Sequence, residues 1–167
     1  MDKMAKDQAA STPASREGKY LTFALAAEEY GIGILKVKEI IGMMAITTVP
    51  RTPEYVKGVI NLRGKVIPVV DLRLKFGMDA AGYTERTCII VVEISTEQQK
   101  ILMGIVVDSV SEVLNIRAGE IESTPNFGSR LDTDYILGMA KTHNGVKILL
   151  DIDRVLSREE LFLDQVA

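Results

Sequence analysis

The chain has one cysteine, one histidine and no tryptophan. A single thiol, Cys88, excludes an internal disulfide and suits a reducing compartment. One Cys and one His fall short of the ligand set that a zinc site needs. Five tyrosines and four phenylalanines among 167 residues are too few for a base-stacking surface. A net charge of −3 and a pI near 5.3 lack the clustered cations of a general nucleic-acid binder. No apolar run approaches the roughly 20 residues of a membrane helix. Met1 to Gly18 has no hydrophobic signal core, so the expected location is the cytoplasm, without membrane insertion.

Chemical motifs are also scarce. Gly58 to Gly64-Lys65 has one residue too many for a phosphate loop, and Val66 stands where Ser or Thr belongs. Gly31-Ile32-Gly33 lacks the third glycine of a dinucleotide fingerprint. Cys88 lies in an apolar strand and reads as an inert buried thiol. His143 reads as an exposed loop histidine. Asp132 with Asp134, and Asp151 with Asp153, read as helix caps. Lys36, Lys38 and Glu39 read as a solvated charged face. The residues therefore predict a protein without metal, cofactor or catalytic residues.

What the chain does have is branched apolar residues in short runs. Its 47% hydrophobic and 26% charged residues are ordinary for a globular protein. The length allows one good core or two small ones. The organising stretch is Gly58 to Arg73, two short strands around a tight turn at Arg63-Gly64-Lys65. Gly64 can take the positive φ of the turn, which holds a guanidinium at a stiff tip. Pro68 cannot donate to a ladder, so the second strand should have an open edge or a bulge nearby.

Before this hairpin, Tyr20 to Leu25 and Tyr30 to Ile34 read as strands separated by a turn at Glu28-Glu29. Val37 to Ile41 has helical spacing, and Met44 to Val49 reads as another strand. Thr52-Pro53 reads as a helix start. After it, Thr87 to Ile94 and Ile101 to Val107 form a second hairpin. Val110, Val113 and Leu114 repeat the helical spacing. Met139 to Ile152 form a third hairpin, with Asn144-Gly145 at its tip. Ser157 to Glu160 is a capping box that opens a closing helix, 154–165. Residues 1–18 read as a flexible tail.

The chain repeats itself. A shift of 80 residues lays Tyr55 to Gly58 over Tyr135 to Gly138, and Val69 to Leu72 over Leu149 to Ile152. A shift of 73 lays Gly31-Ile32 over Gly104-Ile105, and Val37 to Ile41 over Val110 to Leu114. Such self-similarity is a fold-level signal. It predicts two related halves, about 19–86 and 87–153, each with about five short strands. Small barrels are one solution; two hairpin-rich halves of one sandwich are the other.

Residues 58–73 resemble the signature of the CheW family of bacterial chemotaxis coupling proteins. Tyr30-Gly31-Ile32, Val37 to Ile40, Pro53, Gly104 to Asp108 and Pro125-Asn126-Phe127 are similar to its pattern in the same order. The resemblance covers 19–163. The same module occurs in the kinase CheA and in CheV, but this chain has no room for a kinase core or a receiver domain. The resemblance implies a mainly β fold of two five-stranded SH3-like barrels with short helical turns and a C-terminal helix. It implies a cytoplasmic scaffold without an active site, monomeric alone and assembled in arrays. Its partners would be the CheA regulatory domain and the cytoplasmic tip of methyl-accepting receptors. Receptor contacts would map to Val37, Glu39, Arg63 and Gly64, and kinase contacts to Ile41, Met43, Met44, Gly58 and Phe127. Rival readings are a coupler for a pilus or biofilm pathway, an enzyme using Cys88 or His143, and a single-strand nucleic-acid binder.

Overall fold

The structure is a computed structural model that describes residues 16–96, 98–123, 134–143 and 145–156. The first half supplies β1 (Gly18–Leu25), β2 (Glu28–Gly33), β3 (Val37–Gly42), β4 (Val56–Leu62), β5 (Lys65–Asp71) and a short helix α1 (Leu72–Lys75). The second supplies β6 (Cys88–Ser95), β7 (Lys100–Val107), β8 (Ser109–Ile116), β9 (Ile121–Glu122), β10 (Ile136–Thr142), β11 (Gly145–Leu150) and α2 (Ile152–Val155). One sheet has the order β8-β1-β2-β11-β10-β9 and the other β3-β6-β7-β5-β4.

The two sheets are not the two sequence halves. Hairpin β1–β2 of the first half lies between β8 and β11 of the second. Hairpin β6–β7 of the second half lies between β3 and β5 of the first. The halves thus exchange hairpins reciprocally, and the repeat governs the pairing in detail. The parallel contact Leu149↔Gly31 in one sheet corresponds to Val69↔Gly104 in the other. The bulge at Ile136/Gly138 corresponds to that at Val56/Gly58. The extra strand β9 pairs with Met139 and Ala140 where the first half has only the bridge Thr47↔Val59.

Three apolar clusters follow from this arrangement. The largest lies between the sheets and joins Phe23, Leu25 and Ile32 to Ile90, Val92 and Ile105. Ile60, Ile67, Val69 and Ile89 fill the inner side of one sheet, and Tyr20, Ile121 and Leu149 that of the other. Strands β6 and β7 are covered on both faces, which is why they read as unbroken apolar runs. Each sheet curls round its own cluster in the SH3-like manner.

Two polar corners pin the sheets together. Arg73 on α1 donates from Nε to Asp108 Oδ1 at 2.8 Å and from Nη2 to Oδ2 at 2.7 Å. Asp108 also accepts the Ala26 N–H at 2.7 Å. At the equivalent corner Lys36 donates to Asp153 Oδ2 at 2.7 Å, and Asp153 Oδ1 accepts the Ser95 N–H at 3.0 Å. Each corner ties a crossover between sheets to a hairpin end and a short helix. The charges are exchanged: the carboxylate sits on the crossover in one and on the helix in the other.

Several expectations need correction. Val37 to Ile41 is a strand, and so is Val110 to Leu114. Each is bulged against its neighbour, at Val37/Glu39 and opposite Leu21/Phe23, and the bulge mimics helical spacing. The turn after β1 falls at Ala26, with φ 56°, not at Glu28. Met44 to Val49 contributes only the Thr47 bridge. Thr52 does not cap a helix; its hydroxyl donates to the Val49 carbonyl at 3.0 Å. Asp151 caps α2, but Asp153 serves the corner. Lys36 is paired, not merely solvated. The tail as far as residue 15, Asp132, Asn144 and the capping box at Ser157 lie outside the described residues.

Candidate partner-binding surface

The hairpin β4–β5 turns at Arg63, with φ 51°, and Gly64, with φ 89°. Two consecutive positive φ values make the tight turn that matches strand twist. The Asn61 side chain locks it by accepting the Gly64 N–H at 2.9 Å. Arg63 reaches across to Glu39 on β3 and forms an ion pair through Nη2 and Oε1. That contact spans the open side of the sheet, since β3 and β4 are its edge strands. The Glu39 carboxylate raises the Arg63 guanidinium above its ordinary pKa, chiefly by hydrogen bonding. Between them lies a depression of about 270 Å3 whose lining includes Lys38, Leu62, Ile67 and Leu102. Of the four residues expected in one patch, Glu39, Arg63 and Gly64 come together here. Val37 packs at the margin of the central cluster.

The second expected patch lies on the same sheet. Ile41 and Met43 cover its inner cluster, and Met44 is exposed. Gly58 sits beneath the Thr47 bridge, where a Cβ would come within 2.0 Å of the Thr47 oxygen. A side chain there would push the Ile46–Thr47 segment off β4. Phe127 lies outside the described residues.

The structure adds exposed apolar residues that the sequence reading did not single out. Leu35 is 91% exposed in the short 3-10 turn before β3. Ile34 packs inward and Lys36 is held by Asp153, so Leu35 is presented on an anchored turn. Ile40 on β3 and Val113 on β8 are equivalent positions, and both are exposed. Alternation along the bulged strands would have revealed them, but only once the strands were known.

The two candidate chemical residues lie on different strands' ends, Cys88 at the start of β6 and His143 after β10. The Cys88 thiol is half-buried, and burial pushes its pKa up, partly offset by a contact from the Val110 backbone. Such a thiol carries little thiolate at neutral pH. His143 lies exposed beside the β10–β11 turn. Among the described residues, no three His, Cys, Asp or Glu side chains converge as a metal site would require. No described helix is long and apolar enough to cross a membrane.

The fold and this surface define an interaction module, two SH3-like units joined by exchanged hairpins with an arginine latched at one tip. The CheW-like domain family matches residues 19–160. A chemotaxis protein CheW of Klebsiella aerogenes is 43% identical over 150 residues, covering 89% of this chain and 88% of that protein. The corresponding protein of Rhizobium meliloti is 34% identical, with 84% and 88% covered. A crystal structure of the scaffolding protein TtCheW from Thermoanaerobacter tengcongensis aligns at a TM-score of 0.74 and 39% identity, covering 84% of this chain and 93% of that one. The chain belongs to the CheW-like family of chemotaxis scaffold proteins.

Proposed function

We propose that this chain is a non-enzymatic coupler, joining methyl-accepting receptors to the regulatory domain of the histidine kinase CheA in the cytoplasm. The observation that carries this is the Arg63–Glu39 latch, beside an exposed apolar display and on the same sheet as a separate apolar cover. The tip of a receptor, a helical hairpin, lays apolar side chains against Leu35 and Val37. Arg63 and Glu39 set its register through polar contacts, with Gly64 leaving room for close approach. The kinase domain takes the other patch, Ile41 to Met44 over Gly58. Phe127 belongs to a second kinase contact that closes rings in the array. Family membership and the chemotaxis names of the relatives support the coupling role.

The division is testable with one substitution. An arginine anchor on a rigid turn loses little freedom on binding. Arg63→Ala should weaken binding of a receptor-tip fragment by roughly thirtyfold while leaving the kinase domain's affinity within about twofold. Equal loss of both partners, or a receptor loss under about threefold, would contradict it.

A further inference from the structure

Strands β5 and β7 run parallel but pair only over Val69–Asp71 with Gly104–Val106. Before that point they fork. The cause is legible in the backbone. The two-residue turn makes Leu62 and Lys65 a bonded pair, so Val66 and Pro68 direct their backbone groups away from β4, toward β7. On β7 the turn contact Thr96 N–H to Gln99 carbonyl, 2.8 Å, sets the alternation that turns Lys100 and Leu102 toward β5. Extension of the ladder would require a donor at residue 68, and proline has none. The fork is a groove of about 470 Å3 whose walls include Val66, Pro68, Ile101 and Leu102. Val66 is 69% exposed. Lys65 and Lys100 stand at its lips, both exposed, and no carboxylate among the described residues lines it. Neither lysine has an ion-pair partner among the described residues.

The other sheet supplies the internal control. Ile148 stands where the repeat places Pro68, and there the ladder extends one pair further, to Tyr30. Lys147 then bonds Glu29 at 2.7 Å across the position where this fork has Ile67 and Leu102. One fork is closed by an ion pair. Its counterpart is apolar, rimmed by cations and open.

We propose that the β5–β7 fork docks an extended, acidic segment of a partner protein, which adds as a short strand against the free backbone of Val66 and Leu102. Alternate side chains of such a strand face opposite ways. Its apolar residues meet Val66 and Ile101, and its carboxylates reach Lys65 and Lys100. This goes beyond the coupling role and does not depend on it, because the fork needs neither Arg63 nor Glu39.

The test titrates the full chain, 15N-labelled, with a blocked heptapeptide of alternating Glu and Val. Amide shifts confined to 65–67 and 100–102, with slowed exchange at Val66 and Leu102, are expected. Lys65→Gln with Lys100→Gln should weaken binding at least tenfold, and a Lys-Val peptide should not bind. Pro68→Val, which restores the missing donor, should weaken binding by letting the ladder close. The amide spectrum of each variant reports that it is folded. No shifts at millimolar peptide, equal binding of the Lys-Val peptide, or shifts centred on Val37 to Ile41 would overturn the proposal. Fork shifts that follow protein concentration without peptide would overturn it in favour of a second copy. Fork shifts on removing 157–167, which carries Glu159, Glu160 and Asp164, would assign the groove to this chain's own segment.

Discussion

Asp108 joins a hairpin turn, a crossover and a helix through one carboxylate. Burial pushes its pKa up, but the hydrogen bonds from Arg73 and the Ala26 N–H, with the charge of Arg73, outweigh that and hold it below the ordinary value. Glu29 is lowered too, chiefly by the hydrogen bond from Lys147. A carboxylate depressed in the folded state stabilises above its unfolded pKa, about 4, and that contribution is lost as pH falls through the folded value. Asp108→Asn should therefore lower the urea midpoint by a constant amount from pH 7 to 5, and the gap from the parent should close below about pH 4. Gly58 has a steric role. Gly58→Ala drives a Cβ into the Thr47 oxygen at an unfavourable φ of 140°. It should cost at least about 2 kcal/mol and lower the thermal midpoint by several degrees. The glycine at the repeat-equivalent position, Gly138, is crowded in the same way, by the Glu122 oxygen at 2.9 Å.

At the scale of elements, hairpins were legible and their neighbours were not. The tip at Arg63-Gly64 carried its turn chemistry in two adjacent residues, and Pro68 pointed to an open edge or a bulge: β5 is internal, but β4 is bulged at Val56/Gly58 opposite it, and the pairing of β5 with β7 begins only at Val69. Strands β3 and β8 were misread because a bulge shifts the face of a strand by one residue, which imitates a helical period over so short a span. Leu35 was missed because a three-residue turn has no period at all. The same comparison of elements predicts an exchange. Replacing Lys147 by Ile and Glu29 by Leu gives one fork the residue types of the other, and the double variant should keep its stability within about 1 kcal/mol. Glu29→Leu alone strands a lysine whose side chain is 8% exposed and should cost about 2 kcal/mol. Urea melts of the single and double variants check this, and equal losses in both would contradict it.

For the whole molecule, the consequence lies in the exchanged hairpins. The repeat was visible in the sequence, but which strand pairs with which depends on contacts between the halves, and no local pattern carries them. Each sheet takes strands from both halves, so neither half can complete its core alone. The connection from Asp79 to Arg86 is exposed throughout. A protease site introduced there should yield two fragments that co-elute at the mass of the uncut chain and part only on denaturation. Fragments that separate and stay folded would contradict the interlaced account.

The coupling role itself is tested most directly by calorimetric titration of the chain with a CheA regulatory domain, repeated with a receptor-tip fragment already bound. Separate patches predict that both partners bind at once, each with nearly the affinity it shows alone. Competition between them, or failure of either folded partner to bind, would contradict the account of one sheet serving two partners.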